Sequence, residues 1–366
     1  MSAERRPLRV VLWGDGESPH LLKWARALAP RVELHVASSR GLAPALAALV
    51  PPARCLVLGH ATKFDGGNAA LLKALPRFAR WLRAVDADWV NAHYVTSHGT
   101  LAWLARKLGV RAQLAASAWG SDILVTPERS RVLRWVTGRV LRDAAICTSD
   151  SAWMAERMRA LGAGEVMTFP FGLDALPAAP PAKEPALFFA NRGLEEIYDP
   201  RRVLTLFAGV AAAWPDARLV VANSGSMGAA LQAQAVALGL GERIDFVGRL
   251  DAAAQAAFYA RARWYLSVPR SDSVSVSVLE AMAHGCIPLL SDLPANRELV
   301  RDGANGLILP NGQGALVPAA LERLQVAAAA IAVANRHWVG ANALFDPCVD
   351  AFVARLERST PRAVLR

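Results

Sequence analysis

Two carboxylates, Asp272 and Glu280, flank a serine-rich run in the stretch Ser271-Asp-Ser-Val-Ser-Val-Ser-Val-Leu-Glu280-Ala-Met-Ala-His-Gly285. The spacing predicts Asp272 in a loop and Glu280 about one turn into a helix over Val276 to His284. Leu279, Met282 and Ala283 fall on one face of that helix, and Gly285 stands where a C′ glycine ends it. Between the acids come hydroxyls and the N–H groups of a helix start, which hold phosphate oxygens. Carboxylates accept from sugar hydroxyls, so the stretch suits a ligand that is part sugar and part diphosphate. An acid–base pair, or two solvent-facing acids on an ordinary helix, fits the same spacing.

Other groups of this kind stand at the ends of apolar runs. Asn191-Arg192-Gly193-Leu194-Glu195-Glu196 places an arginine where its fork could take a diphosphate, or where it would serve a surface turn. Asn91-Ala-His93-Tyr94 offers an imidazole for a sugar hydroxyl or a developing charge; a structural histidine is the other reading. Trp119-Gly-Ser-Asp122 pairs an indole with a carboxylate, which suits a sugar ring and equally suits a helix cap. Trp13-Gly14-Asp15-Gly16-Glu17-Ser18-Pro19-His20 follows the first predicted strand, and its glycines admit a ligand close to the backbone. A dinucleotide fingerprint needs glycine at Pro19 and an acid near Ser38, Ser39 and Arg40, so the run argues against an NAD-dependent dehydrogenase. Asn223-Ser-Gly225-Ser-Met-Gly228 adds only a flexible backbone. Metal-ligand spacing and nucleophile elbows are missing, so neither a protein-bound metal nor a covalently attached cofactor is expected.

The elements that must position these residues alternate. Leu8–Trp13, Val32–Ala37, Arg54–Leu58, Trp89–Ala92, Ala112–Ser117 and Ala145–Thr148 read as strands. Leu21–Ala29, Ala69–Ala84, Gly99–Leu108 and Arg129–Leu141 read as helices between them. Continuous apolar strands alternating with helices imply a parallel sheet covered on both faces, with ligands at the carboxyl ends of its strands. The proline-rich stretch 173–185 reads as a linker. The pattern then restarts with Ala186–Asn191, Arg218–Ala222, Ile244–Val247, Trp264–Ser267, Ile287–Leu290 and Leu307–Leu309. The expected organisation is therefore an N-terminal Rossmann-like domain over 1–172, the linker 173–185, and a C-terminal Rossmann-like domain over 186–345. A helix at Val349–Glu357, within 346–366, is expected to pack back toward the first domain, with frayed final residues.

At 366 residues the chain accommodates two domains. Hydrophobic residues make up 54% of it, without an apolar run of the roughly 20 residues that a spanning helix needs. The start, Met-Ser-Ala-Glu-Arg-Arg-Pro, is too polar for a signal peptide, and a cytoplasmic location is expected. Cys55, Cys147, Cys286 and Cys348 fit buried thiols in a reducing compartment. The net charge of +10 calls for anionic partners. Its basic residues spread over predicted first-half helices (Arg77, Arg80, Arg83; Arg106, Lys107, Arg111; Arg129, Arg131, Arg134, Arg139, Arg142). An anionic membrane face, with the protein peripheral on the inner side of the cytoplasmic membrane, is one reading and a solvated surface the other. No nucleic-acid partner is expected.

Taken together, these residues resemble glycosyltransferase family 4, the "group 1" retaining enzymes of GT-B fold. Asp272 to Gly285, with Ile287-Pro-Leu-Leu-Ser-Asp292 and Glu298-Leu-Val-Arg-Asp-Gly-Ala-Asn-Gly306-Leu, is similar to the family succession E-x7-E, E-A-M-A-x-G-x-P and E-x-V-x-D-G-x-x-G. Asn91-Ala-His93-Tyr94, Trp119-Gly-Ser-Asp122 and Phe169-Pro-Phe-Gly172-Leu-Asp174 match a branch of it. The resemblance implies an α/β architecture of two Rossmann-like domains whose parallel sheets face across a central cleft. It implies a nucleotide-diphosphate sugar as donor and a glycan or lipid-linked acceptor, in surface polysaccharide or lipid-linked glycan synthesis.

By the same resemblance Glu280 holds the ribose, and Asp272 touches the donor sugar. Amides around Ser273, Val274 and Ser275 help hold sugar and phosphates, Arg192 binds the diphosphate, and His93 faces the donor sugar. Gly14 and Gly16 would line the donor side, and Trp119, Asp122 and His20 the acceptor side. Three departures stand out. Asp272 replaces the family's Glu. Ile197 stands where a lysine partner of Arg192 belongs, leaving Arg201 or Arg202 to serve. The first glycine-rich loop is reduced to Gly14-Asp-Gly16. A GT-B protein that only binds nucleotide sugar or scaffolds, and a GT-B sugar-nucleotide epimerase, are the alternatives.

Overall fold

A computed structural model of the protein describes residues 6–60, 69–178, 182–312 and 314–360. The chain divides into two units, Met1–Phe169 with Asp346–Arg366, and Pro170–Phe345. The first residues of the chain, part of the expected linker (179–181) and the end expected to fray (361–366) lie outside the described residues.

In the first unit the strands are β1 (Arg9–Gly14), β2 (Glu33–Ser38), β3 (Cys55–Val57), β4 (Trp89–His93), β5 (Gln113–Ser117), β6 (Ile146–Ser149) and β7 (Val166–Thr168). Among the described residues they form one sheet in the order β3-β2-β1-β4-β5-β6-β7, and each pair is parallel. Every residue of β4 is buried, as a strand covered on both faces requires. β7 escapes a sequence reading because its three residues, half-buried or exposed, show no period. The helix expected over Ala69–Ala84 is two, Ala69–Leu72 and Leu75–Val85, with Pro76 in the first turn of the second. The one expected over Arg129–Leu141 likewise begins afresh at Arg131, where the Ser130 hydroxyl accepts from the Val132 amide.

The helix Phe345–Ser359 starts earlier than Val349, with Pro347 tolerated in its first turn. Within this unit its Phe352 ring meets Trp24 edge-on at 5.3 Å. Asp350 pairs with Arg31 at 2.6 Å, and Arg355 Nε with Glu165 Oε1 at 2.6 Å.

In the second unit the strands are β8 (Glu184–Ala190), β9 (Arg218–Ala222), β10 (Ile244–Gly248), β11 (Ala262–Ser267), β12 (Ile287–Ser291) and β13 (Leu307–Leu309). Their order is β10-β9-β8-β11-β12-β13, again parallel throughout. Successive side chains of β8 go to opposite cores. Phe188 packs with Phe207 and Trp264, and Phe189 with Tyr259, Tyr265 and Leu279. β8 starts at Glu184, inside the stretch expected to be linker, because the Pro185 carbonyl accepts from Trp264 Nε1 at 2.8 Å and Glu184 pairs with Ala262. Leu173, at the other end of that stretch, already bonds to the Ala343 carbonyl.

Each sheet reverses its strand order at one point, between β1 and β4 and between β8 and β11. Such a reversal opens a crevice outside the carboxyl ends of the strands. Gly14 and His93 end the first pair of strands; Asn191 follows β8, and the loop beginning at Val268 follows β11.

Candidate functional site

In the second unit the crevice is built from three directions. β8 is followed by Asn191, which is buried, and Arg192, whose side chain is about one-fifth exposed at 19%. The loop after β11 brings Asp272, and the helix Val276–Ala283 brings Ser275, Ser277 and Glu280. That helix runs nearly as its apolar face predicts, with Gly285 at φ 76° just beyond it.

Arg192 is the hub. Its Nη2 donates to Asp272 Oδ2 at 2.6 Å, and its Nη1 to Ser277 Oγ at 3.2 Å and to the Ser275 hydroxyl. The Tyr198 ring lies 4.5 Å from the guanidinium carbon, so the fork is stacked as well as bonded. Ser275 stands at the N-cap, but its hydroxyl accepts from Arg192 and is hydrogen-bonded to the Ser277 hydroxyl instead of capping the helix. A planar cation and a helix start thus face the same place, which is an arrangement for phosphate oxygens.

Asp272 Oδ1 accepts from the Ser273 amide at 3.0 Å. Burial raises the Asp272 carboxyl from its ordinary value, against the pull of the Arg192 charge and the Ser273 amide. Burial also works against the Arg192 charge, but Asp272 and the neighbouring tyrosines more than offset it, and the guanidinium stays charged. Glu280 Oε2 accepts from Tyr259 Oη at 3.0 Å and from Gln255 Nε2 at 3.2 Å. Ser273 and Val274 are buried between the two acids.

The structure brings Arg192, Asp272, Ser273, Val274, Ser275 and Glu280 together. It does not bring Arg202 to them: that guanidinium donates to the Leu309 and Pro310 carbonyls at the end of β13. Arg201 is exposed, and its carbonyl accepts from Thr205 and Gln234. Sequence reasoning missed Tyr198, Ser277, Tyr259 and Tyr265. Ser277 continues the alternating serines and was within reach of it. The tyrosines come from other elements, and the only signal for Tyr259 is a phenol on an otherwise alanine-rich helix, Ala252–Arg261.

In the first unit, His93 ends β4 and is 4% exposed. Its Nδ1 accepts from Trp119 Nε1 at 3.1 Å, so the ring carries its proton on Nε2. That Nε2 is buried, with no hydrogen-bond partner among the described residues. Burial, then His98 and His20, lower His93 to about 3, so it is a neutral donor near neutral pH. The Trp119 ring lies 5.5 Å from His93 and 4.7 Å from the exposed His20.

Asp122 is fully buried. Its oxygens take the Val95 amide at 2.7 Å and the Trp119 amide at 2.9 Å, and burial pushes it up to about 6 against these amides. It ties the loop that begins at Tyr94 to the one that carries Trp119. One of those loops carries Tyr94 at φ 76°, a strained value for a tyrosine, directly after His93. Packing demands glycine at Gly16, where an added Cβ would lie 2.5 Å from the Gly41 carbonyl, while at Gly14 it would meet only the movable end of the Leu21 side chain at 2.7 Å. His93, Trp119, His20 and Gly14 therefore share one strand-end crevice. Among the described residues no three His, Cys, Asp or Glu side chains converge as metal ligands.

Two family models match the chain: Glycosyl transferase 4-like over residues 9–151 and Glycosyl transferases group 1 over residues 177–324. A phosphatidyl-myo-inositol mannosyltransferase of Mycobacterium leprae is 28% identical over 346 residues, covering 88% of this chain and 89% of that one. Among solved structures, HepE of Anabaena in complex with UDP and glucose superposes with a TM-score of 0.76 at 15% identity, covering 96% of this chain and 99% of that one. Sucrose-phosphate synthase of Thermosynechococcus elongatus superposes with a TM-score of 0.70 at 16% identity, covering 97% and 98%. The strand-end chemistry of both units and the two matched models agree that this chain belongs to the group 1, family 4 glycosyltransferases and has the GT-B fold of two Rossmann-like domains.

Proposed function

We propose that the protein moves a sugar from a nucleotide-diphosphate sugar to an acceptor hydroxyl with retention of anomeric configuration. The observation that carries the reading is Arg192, held by Asp272, Ser277 and the Tyr198 ring at the start of the helix Val276–Ala283. Such a group is preorganised for a diphosphate leaving group.

In the reaction the bond from the anomeric carbon to the phosphate oxygen breaks, and the acceptor oxygen bonds to that carbon from the same face. The acceptor's proton goes to the departing phosphate oxygen, so no protein nucleophile is required. Arg192 and the amides of the helix start stabilise the charge that develops on the diphosphate. Asp272 accepts from the transferred sugar, Glu280 from the ribose. His93 donates its Nε2–H to a sugar hydroxyl; with its proton affinity this low, it orients and does not shuttle protons. Trp119 and His20 offer apolar ring faces to an acceptor.

The acceptor is assigned to a lipid-linked or surface glycan. The Mycobacterium leprae relative, whose name carries phosphatidyl-myo-inositol, supports this. So does an exposed stripe on the helix Arg131–Asp143. Val132 and Trp135 are 67% and 56% exposed there, and Arg139 lies over the Trp135 ring at 5.5 Å. An aromatic and arginines on one helix face suit the headgroup layer of an anionic bilayer. Among the described residues no helix is long and apolar enough to cross a membrane.

The test is a thermal-shift panel of nucleotide sugars, followed by transfer or donor-hydrolysis assays with the hits. A donor should raise the melting temperature, because it binds only the folded state. No shift with any of them, and no release of nucleoside diphosphate, would refute the reading.

A further inference from the structure

We infer that Tyr259 is a positioning residue for nucleotide recognition: its phenol fixes the Glu280 carboxylate in the orientation that receives the ribose hydroxyls. The inference rests on the reading that Glu280 holds the ribose.

Tyr259 is 1% exposed on the helix Ala252–Arg261, and its hydroxyl meets three groups. Asn191 Nδ2 lies at 2.7 Å, Glu280 Oε2 at 3.0 Å and the Ser277 carbonyl at 3.2 Å. Which way the phenol proton points is settled one residue back. Tyr265 Oη donates to Asn191 Oδ1 at 2.7 Å, so the Asn191 amide presents its NH2 to Tyr259. The Tyr259 oxygen therefore accepts from Asn191 and has its single proton left to give. The carboxylate of Glu280 is a stronger acceptor than a backbone carbonyl. Tyr265, Asn191, Tyr259 and Glu280 form a one-directional chain in which each bond polarises the next.

The chain runs through four elements: β11, the end of β8, the helix Ala252–Arg261 and the helix Val276–Ala283. Gln255, one turn before Tyr259 on the same helix, adds a second donor to the same Glu280 oxygen at 3.2 Å. Two donors on one oxygen fix the rotation of the carboxyl group. The Tyr259 ring is held independently of its hydroxyl, with Phe189 edge-on at 5.1 Å and His284 stacked at 5.6 Å. Burial keeps the phenol protonated, well above its ordinary range. Asn191 also immediately precedes Arg192, so one buried network supports both the ribose acceptor and the base of the diphosphate fork.

Tyr259→Phe removes the oxygen and keeps the packed ring. The readout is the affinity ratio between a ribonucleotide and its 2′- or 3′-deoxy form, measured by calorimetry with whichever of UDP, GDP and ADP binds the wild type most tightly. This ratio is internal to each protein and is unmoved by a change in folded fraction. The wild type should favour the ribonucleotide about tenfold or more, the worth of a hydrogen bond to a charged group. In Tyr259→Phe most of that preference should vanish, and Gln255→Ala should lose part of it. A preference kept intact in Tyr259→Phe overturns the inference while leaving the Glu280 reading in place. A wild type that does not distinguish the two forms overturns that reading, and the inference with it.

Discussion

Replacing Arg192 with alanine separates the catalytic part of the account from its structural part. The guanidinium makes one short charge-assisted bond to Asp272 at 2.6 Å, two bonds to serines, and one stacking contact to Tyr198 at 4.5 Å. Losing a preorganised donor aimed at developing charge costs about 10²–10³ in kcat. Removing one partner of a fully buried ion pair costs about 3–5 kcal/mol of stability. With both side chains about one-fifth exposed, at 19% and 23%, water takes up part of that loss, and about 2 kcal/mol is expected here.

The two effects separate in the double variant Arg192→Ala with Asp272→Asn. Removing the stranded carboxylate charge should restore most of the stability and none of the turnover. Arg192→Lys keeps a charge for Asp272 but cannot reach the serines and stack on Tyr198 together, and should fall between. The assay is release of nucleoside diphosphate from the donor that gives the largest thermal shift, with urea unfolding for stability. A folded Arg192→Ala within threefold of wild-type kcat, or a double variant that regains turnover, would refute the reasoning.

Asp272→Glu restores the family's residue with one more methylene. It should be tolerated in folding and should change the ranking of donors in the thermal-shift panel if the shorter side chain sets donor choice; an unchanged ranking makes the position generic. Burial lowers His98 to about 4 in the folded protein, so between there and the ordinary 6.5 the unfolded chain binds more protons. Its contribution is complete above pH 6.5 and is lost as the pH falls, by about 1.4 kcal/mol per pH unit. His98→Asn should flatten the stability–pH curve between about pH 4.5 and 6 by about that slope, read from denaturant midpoints. Trp135→Ser combined with Arg139→Ser should weaken sedimentation with phosphatidylglycerol vesicles severalfold and leave binding of a soluble donor alone; undiminished sedimentation would move the membrane face elsewhere.

The alternating apolar runs made most strands legible, since a parallel strand buried on both faces needs an unbroken apolar stretch. β7 was not legible, because its three residues are half-buried or exposed and end in a threonine, whereas the equally short β13 is an unbroken buried apolar run. Glu280 could be placed on its helix from the run of Leu279, Met282 and Ala283 and the glycine at 285. The partners that orient it could not. Tyr259 lies on a helix whose sequence announces only alanines, and Tyr265 reads as one more core residue of β11. Arg192 was visible as a strand-end arginine, while the aromatic beneath it, Tyr198, comes from a short turn without periodicity. Trp119-Gly-Ser-Asp122 left two readings open for Asp122. The structure adds that the carboxylate is buried and accepts from the Val95 and Trp119 amides, a tie the sequence could not show because Val95 belongs to another loop.

The central claim is sugar transfer with retention, driven by a leaving diphosphate that Arg192 stabilises. It is tested most directly by the anomeric configuration of the first-formed product, read from the one-bond C1–H1 coupling in NMR spectra. The donor would be the nucleotide sugar selected by thermal shift, and the acceptor a lipid-linked glycan in vesicles. The account predicts that the new glycosidic bond has the configuration the sugar had in the donor; the opposite configuration would contradict it.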